Sequence, residues 1–133
     1  MSASVPTAPA AAGRGAPRRA GAVLATLVTL ITFIGLRGAG VVIADHNTIT
    51  ALGGYNKVTT GAGSDNVTLG GVWNEVYAGD GNNTITGGGG DDTLVGYAGD
   101  DALVGGGGND TIYGGAGDDA ISGKGGDDTM YGG

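Results

Sequence analysis

The sequence predicts an all-β chain wound as a right-handed parallel β-solenoid, with two nine-residue repeats to a coil and about five coils. Three observations predict it. A nine-residue phrase recurs ten times from Val42 to Tyr131 without insertion or deletion. One column of that phrase is always apolar, and another is always Asn or Asp. Glycine supplies 32 of 133 residues, while the chain has one Phe and one Trp, which argues against an ordinary core packed on aromatic rings.

Self-similarity at a fixed period marks a stacked-repeat architecture. The repeats begin at Val42, Ala51, Thr60, Leu69, Ala78, Gly87, Gly96, Gly105, Gly114 and Gly123. Position eight holds Ile49, Val58, Val67, Val76, Ile85, Leu94, Leu103, Ile112, Ile121 and Met130. Position six holds Asn47, Asn56, Asp65, Asn74, Asn83, Asp92, Asp101, Asp110, Asp119 and Asp128. Position four is Gly in eight repeats, with Asp45 and Val72 as the exceptions.

These columns dictate the elements in order. One inward residue per repeat, flanked by two outward ones, is a three-residue strand with period-two alternation. The six residues before it are dominated by Gly, Asn and Asp, which suit a turn visiting φ > 0. Strand, turn, strand and turn close a coil, so residues eighteen apart lie above one another. Parallel strands about 4.8 Å apart then form two sheets around the position-eight aliphatics, roughly 24 Å tall for five coils.

Residues 1–44 read differently. A Pro-containing basic stretch with Arg14, Arg18 and Arg19 precedes "AGAVLATLVTLITFIGL" at 20–36, which carries no charge. That order fits a secretory signal peptide cleaved after Ala44, and the alternative is an N-terminal membrane anchor. Both expectations place the body outside the cytoplasm, secreted and extracellular or held at the membrane facing outward. From Asp45 onward thirteen acids face only Lys57 and Lys124, and twelve of the thirteen are Asp. Such a body repels nucleic acid and anionic membrane and attracts cations. With no cysteine for a disulfide, a bound metal is the expected staple for so small a domain.

The phrase GGxGxDxUx, with U a large aliphatic, stands intact in "GGGGDDTLV" at 87–95, "GGGGNDTIY" at 105–113 and "GGAGDDAIS" at 114–122. It resembles the RTX, or hemolysin-type calcium-binding, nonapeptide repeat. The likeness is tight over 87–133 and degenerate over 45–86. It implies a β-roll with several Ca2+ ions held between stacked turns. Calcium takes six to eight oxygens at about 2.3–2.6 Å, and glycine lets backbone carbonyls converge on it. The resemblance implies carboxylate ligands at Asp92, Asp101, Asp110, Asp119 and Asp128. Carbonyl ligands are implied at Gly88, Gly90, Gly99, Gly106, Gly108, Gly115, Gly117 and Gly126, with weaker sites at Asp65 and Asn83. Tyr97 and Lys124 depart from Gly at position two. The second acids at position five, Asp91, Asp100, Asp118 and Asp127, are expected to be solvated charges, the alternative being that they tighten the site through added negative potential.

Catalytic machinery is not expected. His46 is the one histidine, cysteine is absent, and no G-x-S-x-G, H-E-x-x-H or Walker motif occurs. The expected function is a secreted, non-catalytic calcium-binding module that folds when it binds Ca2+. One alternative is the repeat portion of a larger extracellular enzyme, toxin or adhesin. An ice- or surface-binding solenoid would need a regular Thr column, which positions seven and nine lack. The last repeat carries no cap, which leaves two expected partners besides calcium: a second copy stacked end to end, or a C-terminal partner domain.

Overall fold

The computed structural model describes residues 29–34 and 45–133, and every regular element in them is a β-strand. The strands are β1 (Thr29–Ile34), β2 (Asn47–Leu52), β3 (Tyr55–Thr59), β4 (Asn66–Leu69), β5 (Trp73–Tyr77) and β6 (Thr84–Gly89). They continue as β7 (Thr93–Ala98), β8 (Ala102–Gly107), β9 (Thr111–Ala116), β10 (Ala120–Gly125) and β11 (Thr129–Tyr131). Apart from β1, the expectation of an export segment over residues 1–44 falls outside the described residues. Among those described, no helix is long and apolar enough to cross a membrane.

Odd and even repeats separate into two parallel sheets, ordered β1-β2-β4-β6-β8-β10 and β11-β9-β7-β5-β3. Register partners are eighteen residues apart throughout, as in Ile85 with Leu103 and Leu94 with Ile112. The expected solenoid of about five coils is therefore the observed fold. β1 adds a rung that the repeat count did not include, pairing Thr29–Ile34 with β2 at the same eighteen-residue offset.

The strands run longer than expected. β6 to β10 have six residues each, continuing past position nine into the first three positions of the next repeat. Bare glycine backbones allow this, because Gly88 and Gly89 pair with Gly106 and Gly107 one coil later. The turn shrinks to positions four to six. At position two, Tyr97 and Lys124 keep the positive φ of Gly88, Gly106 and Gly115, at 84° and 80°.

The interior is also wider than one residue per repeat. Burial alternates through positions six, eight and one, as in Asp92, Leu94 and Gly96. Position eight forms the apolar spine from Ile49 to Ile112, with Ile121 partly buried against it. Met130 departs from the expected inward column and is 51% exposed, because no described coil lies beyond β11 to cover it. Position one supplies Ala51, Thr60, Leu69 and Ala78 to the interior of the first half, and only glycine thereafter.

Candidate metal centre

Alternation aims each position-six side chain inward where the turn meets the strand. The structure stacks these residues in two columns. Asn56, Asn74, Asp92, Asp110 and Asp128 form one, and Asn47, Asp65, Asn83, Asp101 and Asp119 the other. In the acidic half, Oδ1 of each Asp accepts from the position-six backbone N–H one coil earlier. Asp92 N–H donates to Asp110 Oδ1 at 2.9 Å, Asp101 to Asp119 at 2.9 Å, and Asp110 to Asp128 at 2.9 Å. Asn74 and Asn83 donate their backbone N–H to Asp92 and Asp101 at 2.7 and 2.8 Å.

The second carboxylate oxygen is different. Oδ2 of Asp65, Asp92, Asp101, Asp110 and Asp119 is buried and has no hydrogen-bond partner. An ionised oxygen out of water is costly unless a positive charge or a donor meets it. Among the described residues no lysine does so, since Lys57–Glu75 is the one ion pair there. Burial is accordingly the first cause lifting the Asp92 carboxyl to about 6, opposed by its bonds from Asn74 and reinforced by the Asp110 charge. Asp101 and Asp110 are raised for the same leading reason.

These oxygens front glycines that the sequence reading did not include among the site residues. A Cβ on Gly87 would overlap Asp92 Oδ2 and would stand 2.7 Å from the Gly105 carbonyl oxygen. The same overlap joins Gly96 to Asp101, Gly105 to Asp110, Gly114 to Asp119 and Gly123 to Asp128. Position-one glycine therefore lets each of these carboxylates pack directly against bare backbone. Its signal was in the sequence, where position one switches from Val, Ala, Thr and Leu to unbroken Gly at residue 87.

The glycines expected to act through their carbonyls lie where one coil packs on the next. Gly88, Gly90, Gly99, Gly106, Gly108, Gly115, Gly117 and Gly126 all have positive φ. The carbonyl oxygens of Gly88, Gly90, Gly99 and Gly108 abut the bare Cα of Gly106, Gly108, Gly117 and Gly126. The Gly115 carbonyl abuts Gly133 in the same way. Side chains at these points would collide with the preceding coil.

Position five is exposed, as expected of a solvated charge, yet its side chains also bond across coils. Asn109 N–H donates to Asp91 Oδ1 at 2.8 Å, and Asp118 N–H donates to Asp100 Oδ1 at 2.9 Å. Asp127 and Asp100 N–H donate likewise to the Oδ1 atoms of Asn109 and Asn82. This ladder runs opposite to that of position six, reaching from the earlier coil to the later one.

No group of three or more acidic, His or Cys side chains is placed to hold a metal ion by itself among the described residues. A cation here would draw on one or two carboxylates with backbone carbonyls, a hard, all-oxygen donor set suited to calcium rather than to zinc or copper. The orphaned Oδ2 atoms and the backbone carbonyls of Gly105, Gly114 and Gly132 that lie close by fit such an ion.

A parallel β-solenoid with buried, half-bonded carboxylates repeated along both edges is a repetitive cation-binding scaffold. The family model of the RTX calcium-binding nonapeptide repeat matches residues 44–71, 73–103 and 104–133, and the chain belongs to that family. It is a calcium-binding repeat module with the β-roll fold. No curated protein and no solved structure matches it significantly.

Proposed function

We propose that this chain is a secreted, non-catalytic calcium-binding module whose acidic half becomes ordered as it binds Ca2+. The observation that carries this reading is the row of buried, unpartnered Oδ2 atoms at Asp92, Asp101, Asp110 and Asp119. Each needs positive charge, and its own half supplies a single lysine, Lys124. Without calcium these carboxylates repel one another and the glycine-rich turns gain little by ordering, so binding and folding become one linked event. The basic and apolar residues before Asp45 support secretion. Cleavage after Ala44 would remove β1 and leave β2 as the edge strand.

Circular dichroism and equilibrium dialysis of the full chain, titrated with calcium and separately with magnesium, test the reading. The expected result is several bound calcium ions and a coil-to-β transition that magnesium does not reproduce. No bound calcium at millimolar concentration would overturn it. N-terminal sequencing of the exported protein tests cleavage, with Asp45 as the expected first residue.

A further inference from the structure

The two halves of the solenoid satisfy their turns by different means. Asn56 Nδ2 donates to the Gly70 carbonyl at 3.2 Å and to Asn74 Oδ1 at 2.7 Å. Asn74 Nδ2 donates to the Gly87 carbonyl at 3.1 Å and to Asp92 Oδ1 at 2.9 Å. Asn83 Nδ2 donates to the carbonyls of Gly81 and Gly79 at 2.8 and 3.3 Å. The Thr60 hydroxyl donates to the Ala78 carbonyl. In each case a proton of the protein faces a backbone carbonyl: Gly70 and Ala78 just past the ends of β4 and β5, Gly79 and Gly81 in the turn, and Gly87 within β6. From Gly88 onward the pattern stops: among the described residues no side chain there donates to a carbonyl, and side-chain oxygens instead accept, from backbone N–H groups and, at Asp92, also from Asn74 Nδ2.

Packing and charge divide at the same place. Ala51, Thr60, Leu69 and Ala78 fill position one in the first half, adding apolar contact that the glycines of the second half cannot make. Residues 87–133 carry nine aspartates against Lys124, whereas residues 47–86 carry Asp65, Glu75 and Asp80 against Lys57. Asp65 is the one buried acid of the first half; its Oδ1 receives both the backbone N–H and the Nδ2 of Asn47, at 2.6 and 2.8 Å, and its Oδ2 is the single buried, unpartnered carboxylate oxygen there, against four in the second half.

We infer that the amides of Asn56, Asn74 and Asn83, with the Thr60 hydroxyl, stand in for the metal ion in residues 47–86. That half then folds without calcium and forms the edge on which the calcium-dependent half assembles. The inference rests on the calcium reading above. The seam lies where Asn74 and Asn83 donate to Asp92 and Asp101, so the first acidic turns dock on donors already held in place. An amide of this kind supplies positive charge density at a fixed distance and cannot be removed by a chelator.

Peptide-level hydrogen exchange on the full chain, in chelator and in calcium, tests this, with bound calcium measured on the same sample. In chelator, amides of β2 to β5 are expected to exchange at least tenfold more slowly than those of β7 to β11. Calcium is expected to slow the second group. Calcium binding combined with uniform exchange in chelator would overturn this inference alone. No bound calcium would overturn the functional reading and this inference with it. Asn74→Asp replaces the internal donor by a second anion. It is expected to cost β3 and β5 their protection in chelator and to regain it in calcium, and unchanged protection in chelator would overturn the inference.

Discussion

The backbone N–H of Asp92 donates to Oδ1 of Asp110, one coil and eighteen residues later, at 2.9 Å, while Oδ2 of Asp110 meets no partner. One carboxylate thus does two things. Its bonded oxygen fixes the rise between coils, and its free oxygen keeps a negative charge aimed into the interior. Immediately before Asp92, Asp91 Oδ1 accepts the N–H of Asn109 at 2.8 Å, so the pairs Asp91–Asp92 and Asn109–Asp110 tie the two coils together by bonds that reach in opposite directions.

The two aspartates should therefore respond differently to substitution. Asp91→Ala removes one exposed hydrogen bond and is expected to cost about 0.5–1.5 kcal/mol at saturating calcium, measured by urea denaturation, with Asp91→Asn close to wild type. Asp110→Ala loses a charge-assisted bond and, on the proposed reading, a metal ligand together. It is expected to raise the calcium midpoint of folding roughly tenfold or more. Equal effects on the calcium midpoint would contradict the separate roles.

Position-one glycine can be tested against a neighbour that differs only in surroundings. A Cβ on Gly105 would overlap Asp110 Oδ2, whereas a Cβ on exposed Gly107 meets nothing within 4 Å. Gly105→Ala is expected to lower the number of calcium ions bound, as read by calorimetry. Gly107→Ala is expected to leave that number unchanged.

Acid should act in two directions at once. Burial holds Asp92 at about 6 in the metal-free fold, above its ordinary range, with Asp101 and Asp110 shifted the same way. A carboxyl whose folded pKa is raised destabilises the fold while ionised, and that penalty is relieved as pH falls from about 6 toward 4. Lowering the pH from about 7 to about 5 in chelator should therefore increase β-structure by circular dichroism. Over the same interval protons compete with the ion, so more calcium should be needed to reach the midpoint. A loss of β-structure on acidification in chelator would contradict the assignment.

The spine should be energetically uneven. Leu103 is fully buried, so Leu103→Ala is expected to cost about 2–5 kcal/mol in calcium, by loss of contact and a residual cavity. Met130 occupies the same column at the exposed edge, and Met130→Ala is expected to cost less than about 1 kcal/mol. Urea midpoints compare the two directly.

Periodicity carried the architecture because stacking forces every coil to repeat its neighbour. An apolar residue in each of ten position-eight places and Asn or Asp in each of ten position-six places left room for one arrangement, so the parallel sheets and eighteen-residue register were legible in the sequence. The local columns could not show direction or occupancy of space. That Oδ1 and Oδ2 of one aspartate have unlike fates, that position five reaches forward while position six reaches back, and that a Cβ at position one would overlap a carboxylate all depend on what the next coil places opposite. The sequence alone determined which residues recur and hence which residues stack. Only the tertiary structure decided which buried oxygens were left without a partner, because satisfying a polar atom is a property of two coils together.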